Sequence, residues 1–165
     1  MENLLEVLKA NDYRSFEIMG KQMLEIISNE DLNSAQEGYR FNPIKNEKIE
    51  DWDTIVGEGY YVIGFETSLG DAILVDTSSS ELPVYYIFNE NWESIKKVAS
   101  TFNEFIANLK DLDNRINNKH QCKNTIKKFT KSLDEKYSTA GFYETLCFDI
   151  LDKDGLLYEK YNTNK

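Results

Sequence analysis

Three short runs of β-branched and aromatic residues between Tyr60 and Phe88, joined by connections of only a few polar residues, constrain the fold more than any other feature of this chain. Parallel strands need a crossover of about a dozen residues or more, so runs this close must pair antiparallel. In the first run, Tyr61, Ile63 and Phe65 fall on one face and Tyr60, Val62, Gly64 and Glu66 on the other. Both faces are apolar near the middle, as in a central strand. Thr67-Ser68-Leu69-Gly70-Asp71 supplies turn chemistry, with Gly70 free to take positive φ, and Asp71 to Thr77 runs back as the second arm of a hairpin. The loop Ser78-Ser79-Ser80-Glu81-Leu82 leads to Pro83, which opens a third strand, Val84 to Phe88, where its missing N–H does no damage.

Past the strands, Trp92, Ile95, Val98, Ala99, Phe102, Phe105, Ile106 and Leu109 recur at three and four, which permits one helix from Asn91. Thr101-Phe102-Asn103-Glu104, however, has the form of a capping box, in which hydroxyl and carboxylate each satisfy a backbone donor. That favours a break, with Ser94 to Ser100 as a fourth strand or irregular link and a helix from about Thr101 to Lys110.

Three segments carry a family resemblance. Gly70-Asp71-Ala72-Ile73-Leu74-Val75-Asp76, Pro83-Val84-Tyr85-Tyr86 and Val98-Ala99-Ser100-Thr101-Phe102-Asn103-Glu104-Phe105-Ile106 resemble, in order and spacing, the GD-x-I…D, PVY and A-S-x-F-x-E-F-[IL] signatures of the SUKH superfamily. That superfamily contains Smi/Knr-type yeast cell-wall regulators and many bacterial immunity proteins that neutralise toxins used between competing cells. Residues 1–42 lack the Pro and the Asn-Gly that family members commonly carry before the sheet, so this chain resembles a divergent member. The resemblance implies a single SUKH-like α+β domain over 1–165, with a family-like core at 57–110 and helical flanks. It implies a non-enzymatic immunity protein that binds and blocks a cognate toxin, and the acidic charge described below fits a basic one. The alternatives are a regulatory or scaffold binding module of the same fold, then a carboxylate- or metal-dependent hydrolase.

Elsewhere, Leu4, Leu5, Val7 and Leu8, then Phe16, Met19, Met23, Ile26 and Ile27, have helical spacing interrupted at Asn11-Asp12, which predicts two helices. Asp12 or Ser15 would cap the second and Ser28-Asn29-Glu30-Asp31 close it, with both methionines filling core. Gly38 to Ile44 reads as a strand ending near Pro43, and Trp52 and Ile55 belong to a short connecting element of undefined type. Leu112, Ile116, Cys122, Ile126, Phe129 and Leu133 predict helical packing broken around Asn117-Asn118. Ser138 or Thr139 would cap a segment carrying Phe142, Leu146 and Ile150. Asp152-Lys153-Asp154-Gly155 either stops that helix or turns a hairpin between 148–151 and 156–158. No run of about 18 apolar residues and no basic start with an apolar h-region is visible, which leads us to expect neither a membrane span nor a secretory signal, and a cytoplasmic protein.

Catalytic chemistry finds little purchase. His120 is the single histidine, and Cys122 at i+2 points elsewhere on a helix. Cys122 and Cys147 read as small buried hydrophobes, and with one His they fall short of a four-ligand zinc site. Gly57-Glu58-Gly59 is a turn, not a dinucleotide loop. Aligning Gly155 with the glycine of a calcium loop puts Ile150 and Tyr161 where oxygen ligands are essential. We therefore expect no catalytic residue, metal or cofactor.

Charge is more informative. Between Ile49 and Ile95 stand ten carboxylates, Glu50, Asp51, Asp53, Glu58, Glu66, Asp71, Asp76, Glu81, Glu90 and Glu93, and no Lys or Arg; ten minus zero matches the net charge of −10 for the whole chain. Such a stretch is a solvated surface that keeps the protein soluble, a docking face for a basic partner, or, last, a carboxylate-bound divalent metal site, for which nothing in the spacing predicts a pair. The docking face would comprise Asp51, Asp53, Glu58, Glu66, Glu81, Glu90 and Glu93, with Asp71 and Asp76 set aside as carboxylates that cap turn backbone. The basic run Arg115 to Lys136 lies at helical spacing opposite an apolar stripe without interleaved aromatics, and the pI near 4.7 adds repulsion from phosphates, so nucleic acid is not the expected partner.

Overall fold

The computed structural model describes residues 2–18, 20–45, 47–88, 91–117, 123–139 and 141–147. In chain order its elements are α1 (Glu2–Ala10), β1 (Ser15–Ile18), β2 (Lys21–Ile26), a 3-10 turn (Ser34–Gln36), β3 (Phe41–Asn42), β4 (Glu47–Lys48), α2 (Glu50–Ile55), β5 (Tyr60–Glu66), β6 (Ala72–Asp76), β7 (Val84–Phe88), β8 (Asn91–Ala99), α3 (Phe102–Asn117), α4 (Lys123–Tyr137) and α5 (Phe142–Leu146). The fold is α+β: an antiparallel six-stranded sheet in the order β1-β2-β5-β6-β7-β8, flanked by helices, with β3–β4 as a separate hairpin.

The three runs from Tyr60 to Phe88 pair as their short connections require, and β5 is central, between β2 and β6. All of Ala72, Ile73, Leu74 and Val75 in β6 are buried, so both faces of the sheet are covered. Pairing puts Ile73 beside Tyr86 on one face, where Tyr86 meets Phe142 of α5 at 4.9 Å and the Tyr143 hydroxyl donates to the Val98 carbonyl at 2.8 Å. Phe65 and Ala72 face the other way, where Tyr39 stacks at 6.0 Å from Phe65 and 5.8 Å from Trp52 of α2. One face thus carries the C-terminal helices, the other the irregular segment 28–57.

The second N-terminal helix is corrected to a hairpin. Phe16, Met23 and Ile26 satisfy a helical period, but Phe16 and Ile18 also alternate with Ser15 and Glu17, and Gly20 turns the chain at φ +79°. The sheet edge offered by β5 decides between the two periods. Ser28 and Asp31 form a turn, the Ser28 hydroxyl donating to the Asp31 carboxylate at 2.6 Å. Of the strand expected over Gly38 to Ile44 only Phe41–Asn42 pairs, and Trp52 is buried on a short helix.

The capping box forms with one shift: the Glu104 N–H donates to the Thr101 hydroxyl at 3.0 Å, while the Glu104 carboxylate accepts from the Ser100 N–H at 2.9 Å. The break before the helix is therefore real. β8 is longer than expected, because register shifts against β7 reset its two-residue alternation and bury Val98 and Ala99 together. α3 runs past Lys110 to Asn117, extending its buried stripe through Leu112. α3 ends at Asn117 and α4 begins at Lys123; the break expected around Asn117-Asn118 lies in part outside the described residues. Met19, Glu90, His120, Cys122 and the proposed helix or hairpin over 148–158 lie outside the described residues.

Candidate functional site

The carboxylates singled out in the sequence do not form one face. β5 and β7 start at the same end of the sheet, since both pair antiparallel with β6. Glu58, just before β5, and Glu81, in the loop before β7, therefore share that end, and both are exposed. The Thr77 N–H holds the two connections together by donating to the Gly59 carbonyl at 2.9 Å. Glu66 closes β5 at the opposite end, and Glu93 near the start of β8 lies toward that end too. Asp51 is exposed on α2, which leads the chain toward the Glu58 end.

Two members of the set do other work. Glu66 is only 4% exposed, and its two carboxylate oxygens accept the Ser68 and Leu69 N–H groups at 2.8 Å each. It is a buried turn cap and is removed from the docking face, because its carboxylate is turned in to satisfy two backbone donors of the β5–β6 turn. Asp53 of α2 is ion-paired to Lys48 of β4, which offsets its charge. Glu58, Glu81 and Asp51 have no ion pair among the described residues and form the remaining acidic surface.

Asp71 and Asp76, set aside from the docking face, hold structure. Asp76 accepts the Ser78 N–H at 2.9 Å and the Ser78 hydroxyl at 2.6 Å. Asp71 is buried and receives the Tyr86 hydroxyl; burial first, and that bond next, push the Tyr86 phenol well above its ordinary value. Glu66 and Tyr86 line a cavity of about 70 Å³ closed by Phe88, Thr139 and Phe142. Both Glu66 oxygens accept backbone donors there, and the Tyr86 hydroxyl is given to Asp71.

Three cations of the basic run are ion-paired. Arg115 pairs with Asp111 at 3.1 Å and stacks 4.1 Å over Phe129, Lys136 pairs with Glu104 at 2.7 Å, and Lys131 lies 3.7 Å from Glu135. Lys127 and Lys128 remain exposed on a solvated helix face. Cys147 is fully buried, and burial pushes its thiol upward, away from thiolate reactivity. Among the described residues no three His, Cys, Asp or Glu side chains converge in a way that could hold a metal ion, and no helix is long and apolar enough to cross a membrane.

Sequence reasoning missed Gln36 and Asp134. Ile27 still donates its N–H to the Ile63 carbonyl at 3.0 Å, and one position further along β5 the Gln36 amide takes the place of β2, accepting the Val62 N–H at 3.0 Å and donating to the Val62 carbonyl at 2.9 Å. Asp134 of α4 accepts the Tyr143 and Glu144 N–H groups at 2.9 Å each, capping α5 from another helix and joining Thr139, whose hydroxyl accepts the Phe142 N–H. Neither residue carries a local motif, because each satisfies backbone distant in sequence. Compared with known proteins, the chain matches no family model, no curated protein and no solved structure.

Proposed function

We propose that this chain is a protein-binding module of the immunity type, acting in the cytoplasm to capture and neutralise a basic toxin without chemistry of its own. The observation that carries this reading is the exposure of Asp51, Glu58 and Glu81 without an ion pair among the described residues. A field of unpaired carboxylates accelerates encounter with a positive partner and matches a face that otherwise holds nucleic acid. The SUKH-like signatures support the same class, although their residues serve as turn (Asp71), strand (Val84 to Tyr86) and helix cap (Thr101, Glu104), so they speak for a scaffold and leave the contact surface to be found elsewhere.

The test is the triple reversal Asp51→Lys, Glu58→Lys, Glu81→Lys, assayed against the basic protein that co-purifies with the unaltered chain from its host. Association at low salt should slow by about tenfold or more and lose most of its salt dependence, with thermal stability unchanged. Equal association and equal protection from the toxin would reduce the acidic surface to a solubility device.

A further inference from the structure

We propose that the β3–β4 hairpin, together with the exposed side of α2, is the element that seats the partner: an exposed apolar tip on a segment that also exposes carboxylates, fitting a basic protein that offers an apolar pocket. This rests on the protein-binding reading above and names its docking element. Ile44, at the hairpin tip, is 93% exposed, and Phe41 and Ile55 are 43% and 42% exposed. Single exposed apolar residues are ordinary. Here three of the five large ones that stand exposed among the described residues fall between positions 41 and 55.

The tip is held in place. The Asn42 side-chain oxygen accepts the Ile44 N–H at 3.0 Å and the Lys45 N–H at 3.2 Å, an Asx turn that presents Ile44 outward. Phe41 pairs with Lys48 across the hairpin, the Ile49 N–H donates to the Arg40 carbonyl at 2.8 Å, and the Lys48–Asp53 ion pair ties β4 to α2. The hairpin is therefore tied to the helix, and backbone held in advance loses little freedom when a partner buries the side chains that it carries.

The charge around this unit selects the partner. Glu47, Glu50, Asp51 and Glu58 are exposed here without an ion pair among the described residues, and Lys45 is the one exposed cation that does not already face an acid. On α2, Ile55 follows Asp51 by four residues, so an apolar and an acidic group share one face. An apolar centre with a polar rim is the anatomy of a protein interface, and the sign of this rim calls for Lys and Arg opposite.

The test replaces Phe41, Ile44 and Ile55 in turn with a benzophenone-bearing side chain in the full chain, with Leu5 and Leu69 as exposed apolar controls, followed by photo-cross-linking in the host. The expected result is one basic protein captured from the first three positions and not from the controls. That protein, purified, should bind Ile44→Asp at least about tenfold more weakly and Leu69→Asp nearly as tightly as the unaltered chain, with both variants equally folded. Failure to capture it from Phe41, Ile44 and Ile55, or undiminished binding by Ile44→Asp, overturns the proposal. If the same basic protein is captured from Leu5 or Leu69 instead, the binding function stands and only its surface is wrong. No adduct at any of the five positions, together with an unaffected triple charge reversal, removes the binding function as well.

Discussion

Gly64 sits where the backbones of β2 and β5 come closest, and a Cβ there would overlap the Glu25 carbonyl oxygen. Backbone cannot withdraw as a flexible side chain can, so Gly64→Ala should destabilise by about 1 to 3 kcal/mol or more, measured by denaturant unfolding. Gln36 is the side-chain counterpart: Gln36→Ala leaves the Val62 N–H and carbonyl without partners in the interior, at roughly 1 to 3 kcal/mol. Neither substitution should alter partner binding in the population that remains folded. Both residues look ordinary in the sequence, one a strand glycine and the other a polar residue in a loop, because their importance comes from the chain that lies against them.

Among the elements, α3 shows how far local chemistry can carry a prediction. The Thr101–Glu104 cap was legible because both partners lie within one turn. Its electrostatic anchor was not, since Lys136 comes from α4. The bond from Lys136 is the largest influence holding the Glu104 carboxyl down at about 2, from an ordinary value of 4.5. A carboxyl lowered on folding contributes stability that is fully present above about pH 4.5 and is lost as pH falls through about 2. Thermal melts between those values should therefore show a steeper loss for the unaltered chain than for Glu104→Gln. Parallel acid limbs in the two proteins would show that the pair contributes nothing to folding. α5, only five residues long, depends on its borrowed cap, and Asp134→Ala should loosen it selectively, read as faster amide exchange at Tyr143 and Glu144.

In the whole molecule, Phe105 is fully buried and sits 6.3 Å from Phe142, where α3 and α5 meet the sheet. Phe105→Ala should cost about 3 to 5 kcal/mol, and a loss below about 1 kcal/mol would mean that the helix layer is not seated on the sheet as described. The charge asymmetry of the sequence survives folding in altered form. α2 packs on one face of the sheet and the C-terminal helices on the other, so the free carboxylates of Asp51 and Glu50 and the exposed lysines of α4 belong to different layers.

The run of β-rich segments with short connections determined the antiparallel sheet, the central place of β5 and the hairpin β5–β6, because connection length and two-residue alternation are local quantities. Only the tertiary structure decided that Phe16 to Ile27 is a hairpin, since its apolar spacing serves helix and strand alike and the open edge of β5 selects the strand. Tertiary structure also decided which carboxylates remain free. Glu66 and Glu58 are equivalent as charges in the sequence, but two backbone N–H groups of the β5–β6 turn draw Glu66 inside, whereas Glu58 stays exposed without an ion pair among the described residues.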